Sequence, residues 1–102
     1  MDTPSAVVTF DASLFSEETI KKAAYTFAAA ASVDIRRSGV EWVCAFRFLR
    51  PMKPEDIHET VESFRIEVLD QDLRERVAAE TRETRNSILA VAFSRTGLQR
   101  SE

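Results

Sequence analysis

The chain has 102 residues, 44% of them apolar and 30% charged, and a net charge of −3. This is a globular composition of a length that suits a single domain with one core, and we expect one α+β domain over residues 1–102. The balance is acidic, with Arg and Lys interleaved among Glu and Asp, which argues against nucleic acid and against anionic membrane surfaces as partners. Cys44 is the single cysteine, so an internal disulfide is excluded. The opening Met1-Asp2-Thr3-Pro4 lacks the basic and apolar regions of a secretory signal. No apolar run approaches the ~20 residues of a membrane span. A cytoplasmic location is expected.

In chain order, Ala6-Val7-Val8-Thr9-Phe10 is β-branched and aromatic and predicts a strand. Asp11 and Ser13 supply turn chemistry. Ser16 is an N-cap for a helix entered through Glu17 and Glu18, whose carboxylates suit the positive end of the helix dipole. Ile20, Ala23, Ala24, Phe27 and Ala31 recur at helical spacing, and the alanines allow a close approach to a sheet.

Val33 and Ile35 alternate with Asp34 and Arg36, the pattern of a half-buried strand. Arg37-Ser38-Gly39 predicts a hairpin turn, with Gly39 free to take the positive φ such turns demand. The returning strand runs from Val40 to Leu49. Val40, Trp42, Cys44, Phe46 and Phe48 share its apolar phase, and Glu41, Val43, Ala45 and Arg47 share the other.

Pro54 suits the first position of a helix, with Glu55 and Asp56 in its first turn. Ile57, Val61, Phe64 and Val68 mark one face, with Leu69 beside them. Asp72-Leu73-Arg74-Glu75 has the spacing of a capping box and predicts a new helix start near Asp70 to Asp72. Were the helix continuous, Asp70 with Arg74 and Asp72 with Arg76 would stand at i, i+4. The last helix runs from Leu73 to about Ser94, with Gly97 as terminator. Its middle, Glu80 to Ser87, carries no strongly apolar side chain, as in a segment that bridges, faces a partner or is not stably helical. Its apolar end, Ile88, Leu89 and Phe93, needs cover from the core or from a partner.

The predicted architecture is therefore β-α-β-β-α-α: a two-layer α+β fold, with a three-stranded sheet and helices on one face. A helical crossover from the first strand should be right-handed if it yields a parallel neighbour. The sheet has an edge that a peptide can extend.

Chemistry is sparse. Cys44 sits between Trp42 and Phe46 and reads as a small buried hydrophobe. His58 falls off the apolar stripe among Glu59 and Glu62 and reads as an exposed helical residue. No phosphate loop or metal-ligand spacing stands in the sequence. Most carboxylates lie within a few residues of Arg or Lys, the signature of a solvated helix surface. No catalytic residue, metal or cofactor is assigned, and action through contact surfaces is expected.

Glu67-Val68-Leu69-Asp70-Gln71-Asp72-Leu73-Arg74-Glu75 resembles the signature of the His-Xaa-Ser system protein HxsD family, which ends in Asn-Asp-Tyr-x-Leu-Arg-Glu. Asp70, Leu73, Arg74 and Glu75 match it; Leu69 and Gln71 replace its Asn and Tyr. Glu80-Thr81 and Arg85-Asn86-Ser87-Ile88-Leu89-Ala90, with Ala92-Phe93, resemble the family's C-terminal half. Val8-Thr9-Phe10-Asp11 and Ile20-Lys21-Lys22-Ala23-Ala24-Tyr25 resemble its opening.

The resemblance implies a bacterial peptide-modification system in which two radical S-adenosylmethionine enzymes act on a protein rich in His-Xaa-Ser repeats. This chain has one histidine and one cysteine. It can supply neither the repeats nor a three-cysteine cluster motif, which leaves an accessory role: binding the maturation enzymes or their substrate. Asp70, Arg74, Glu75, Arg85 and Asn86 are the expected partner-binding residues, unless they only cap and brace a helix junction. The competing expectations are a structural homodimer through the last helix, and a small enzyme or ligand-binding domain using a buried carboxylate or Cys44.

Overall fold

The computed structural model describes residues 4–96, with side chains described as far as Ala92. Its elements are β1 (Ser5–Asp11), α1 (Glu17–Tyr25), β2 (Ala31–Ser38), β3 (Glu41–Phe48) and α2 (Pro54–Thr96). The chain divides into two units, Met1–Asp72 and Leu73–Glu102.

The first unit holds the α+β fold. Its sheet has the order β1-β3-β2. Both outer strands run antiparallel to β3, with Val8 opposite Cys44 and Ile35 opposite Cys44 from the other side. The crossover through α1 therefore joins two strands that β3 separates, and it makes no parallel neighbour. Period-two alternation sends Val8, Phe10, Cys44, Phe46 and Phe48 to one face, where they are buried with Ile20 and Ala23 of α1 and Phe64 and Val68 of α2. The two helices thus cover one face of the sheet, as the alternation predicts.

Burial of a large apolar side chain contributes ~1.5–3 kcal/mol, so Phe46, Phe48 and Phe64, all within 1% of complete burial, dominate this core. Phe64 sits at its centre. Its ring meets Phe10, Phe27 and Phe46 edge-on, with centroids 5.7, 5.8 and 4.9 Å away.

Local chemistry fixes the connections. Asp11 accepts from the hydroxyl and amide of Ser13, at 2.7 and 2.8 Å, and these bonds hold its carboxyl below the ordinary value. Ser16 caps α1, its Oγ accepting from the Thr19 amide at 3.1 Å. Gly39 takes φ 59° in the hairpin, a left-handed conformation that a side chain disfavours. Val40 lies in that turn and is exposed, so it stands outside the buried phase of β3.

Two expectations about the helices are also corrected. α1 ends at Tyr25, before Phe27 and Ala31. The chain there tightens into turns, with Thr26 N–H donating to Ala23 O and Phe27 N–H to Ala24 O. Phe27 and Ala31 still pack on the core, but from the turn and from the first position of β2.

The break near Asp70 to Asp72 does not occur either: α2 is one helix, so the order is β-α-β-β-α. No Gly or Pro falls between Glu55 and Thr96, and Asp70 and Asp72 stand four residues before Arg74 and Arg76, a spacing that favours continuity. A capping-box pattern inside a run of helix formers does not start a new helix. Gly97 lies outside the described residues.

Candidate interaction surfaces

The predicted binding residues lie along α2. Asp70 is half-buried in the first unit; in the second, Glu75 is half-buried and Arg74, Arg85 and Asn86 are exposed. Arg85 and Asn86 follow Arg74 and Glu75 by eleven residues. At ~1.5 Å per residue the two pairs stand ~16 Å apart on one helix. They share helical faces but not a cavity.

Cys44 is fully buried in the sheet, and burial pushes its thiol up to about 11 from 9.0. A thiol protonated at neutral pH and closed to solvent is a packing element. His58 is exposed on α2. Among the described residues Thr19 is the one buried polar side chain, so none of the carboxylates there is buried in the core. Among those residues no group of His, Cys, Asp and Glu is arranged to hold a metal ion, and no helix is long and apolar enough to cross a membrane.

Within the second unit, Leu73, Val77, Glu80, Thr84, Ile88 and Val91 follow one another at spacings of three and four, which keeps them on one helical face. The four apolar members are each more than half exposed. Leu89 lies off this line and Phe93 lies outside the described side chains. Isolated exposed apolar residues are ordinary; a repeated row of them is not.

In the first unit, a groove of about 550 Å³ runs between α1 and β2, flanked by Lys21, Ala24, Tyr25 and Ala28 on one side and by Ala31 to Ile35 on the other. Five consecutive strand residues line it, from both faces of the strand, as only an edge strand allows. Sequence reading missed this groove, taking the alanines as contacts to a sheet. The available signal was Tyr25, a large side chain set among alanines and 82% exposed.

A small α+β fold with a single antiparallel sheet and helices on one face is the class that this geometry defines. The family model for the His-Xaa-Ser system protein HxsD matches residues 10–99, and the chain belongs to that family. No curated protein and no solved structure matches it.

Proposed function

We propose that the chain is a non-catalytic accessory component of the His-Xaa-Ser system, acting by binding other proteins of that system. Family membership supports the setting. The observation that carries the binding role is the row Leu73, Val77, Ile88 and Val91, apolar, exposed and regularly spaced on α2. Cys44, buried and protonated, is a poor nucleophile, which weighs against the reading as a small enzyme.

The partners proposed are the radical S-adenosylmethionine maturation enzymes or the His-Xaa-Ser repeat substrate protein. Co-purification of the tagged chain with each of them is the test. Retention of at least one, lost when Leu73 and Ile88 are both replaced by Glu, is the expected result. No retention of any defeats the proposal.

A second reading has a specific feature behind it: the row is nearly palindromic, two apolar residues, then Glu80 and Thr84, then two apolar residues. Two antiparallel copies would set Leu73 on Val91, Val77 on Ile88 and Glu80 on Thr84. A parallel in-register pair would stack Glu80 on Glu80, which like charges oppose. Sedimentation equilibrium reads this directly, and a monomer at high concentration ends the homodimer reading.

A further inference from the structure

The backbone phase of the sheet decides what the groove beside β2 can receive. Phe48 N–H donates to Pro4 O and Ala12 N–H to Val40 O, so the even-numbered residues of β3 bond toward β1. Leu49 N–H donates to Ala30 O, so its odd-numbered residues bond toward β2. In an antiparallel ladder the outer strand alternates accordingly. Ser32, Asp34 and Arg36 spend their amides and carbonyls on β3, while Val33, Ile35 and Arg37 turn theirs outward.

β2 is the last strand of the sheet on that side. Its outward groups form a row repeating every ~6.8 Å, two residues of extended chain. A row of alternating donors and acceptors at that repeat matches one partner chemistry, another extended backbone.

The side chains agree with the backbone. Val33 and Ile35 are half-buried, and their remaining apolar surface faces the groove with Ala24 and Ala28. Small residues on the α1 side leave room for the side chains of an incoming strand. The charges that usually guard a strand edge are engaged locally: Arg36 Nε donates to Asp34 Oδ2 at 2.7 Å, and Arg37 Nε donates to Gly39 O at 2.8 Å. Lys21 is likewise paired with Glu17, at 3.1 Å.

We propose that the free edge of β2, with α1 beside it, takes an extended peptide as a fourth strand. Alternate residues of that peptide are apolar and enter the groove against Val33, Ile35, Ala24 and Ala28. The inference rests on the partner-binding reading above and goes beyond it, adding to the row on α2 a second contact surface in the first unit.

The test uses fluorescently labelled short synthetic peptides that tile the His-Xaa-Ser substrate protein and the maturation enzymes, titrated with the full chain. At least one tile is expected to bind and to shift the amide resonances of Val33, Ile35 and Arg37. Val33→Pro removes an outward N–H that the β2–β3 ladder does not use, and should weaken binding by about tenfold or more. Ala28→Trp fills the groove from an exposed turn and should weaken it similarly, so the result stands even where Val33→Pro fails to fold.

Full-length partners held equally by the wild type and by Ala28→Trp, with no tile bound, would overturn strand addition and leave the partner-binding role intact. A dimer of this chain dispersed by either variant would overturn it too, by making a second copy the occupant. Failure of every full-length protein and every tile to bind the wild type would end both.

Discussion

The ring of Phe64, from α2, meets the ring of Phe46, from the central strand, edge-on at 4.9 Å and 78°. Both side chains are within 1% of complete burial. This contact ties the helix to the middle of the sheet, and Phe10 and Phe27 complete an aromatic surround. Truncation leaves a cavity walled by three rings that cannot collapse inward together. Phe64→Ala should therefore cost ~3–5 kcal/mol in a urea or guanidinium unfolding series, and Phe64→Leu distinctly less.

Trp42 donates its indole N–H to the Phe15 carbonyl at 2.9 Å, fastening the loop before α1 to the hairpin. The Arg37 guanidinium lies over the face of its ring, 5.2 Å from the centroid. Trp42→Phe keeps an aromatic ring and removes the donor, and should cost ~1–2 kcal/mol, the range for a part-buried carbonyl left without its bond. Arg37→Ala should shift the emission of this single tryptophan with a smaller loss of stability.

Cys44 gives a pH signature. Its thiol titrates near 11 in the folded chain and near 9.0 when exposed. Below pH 9 both states are protonated and the thiol contributes no pH dependence. Between pH 9 and 11 the unfolded thiol ionises while the folded one does not, so stability falls as pH rises; above 11 this loss is complete. Cys44→Ala should remove that part of the slope in matched denaturation series at pH 8 and pH 10.5. Alkylation by iodoacetamide at pH 8 should follow the unfolding equilibrium, not the reagent concentration alone.

The N-cap of α1 offers a smaller, local test. Ser16 Oγ accepts from the Thr19 amide and lies 2.8 Å from the Thr19 hydroxyl. Ser16→Ala should lower stability by ~1 kcal/mol, and Ser16→Asp should restore most of it. Thermal melts followed by circular dichroism suffice.

The exposed row on α2 should behave oppositely. Val77 and Ile88 are more than half exposed in the chain, so Val77→Glu and Ile88→Glu should each change unfolding free energy by less than ~0.5 kcal/mol. A drop of several kcal/mol on unfolding a monomeric sample would mean that these side chains are covered within the chain itself.

Much of the fold was legible because it rests on short-range pattern. Alternation through Trp42, Cys44, Phe46 and Phe48 placed β3, Gly39 placed the hairpin, Ser16 placed the start of α1, and Pro54 placed that of α2. What was missed involves patterns that two structures satisfy equally. Phe27 and Ala31 keep helical spacing yet also fit a turn and a strand start, because both conformations return them to the same core. Asp72 to Glu75 has the letters of a cap, but a cap needs a chain that arrives from outside the helix, and here Leu69 to Gln71 are already helical. The place of β3 between β1 and β2 is set by long-range pairing, which no local spacing encodes. The groove beside β2 escaped for a similar reason: it is made by backbone direction and by the smallness of Ala24 and Ala28. Asp70, Arg74, Glu75, Arg85 and Asn86 form one set by sequence and motif, whereas eleven residues of helix separate Arg74 and Glu75 from Arg85 and Asn86.

The position of β3 also bears on how the chain is made. The strand that both outer strands require is the last of the three to leave the ribosome, and the helix residues that roof the sheet, Phe64 and Val68, emerge later still. Until β3 is complete at Phe48, β1 lacks its full hydrogen-bonding neighbour, and until Val68 has appeared, the aromatic face of the sheet is covered by α1 alone. Nascent chains halted between those two points should be the sticky ones, retained by chaperones and quick to aggregate. Those extended past the first half of α2 should be released.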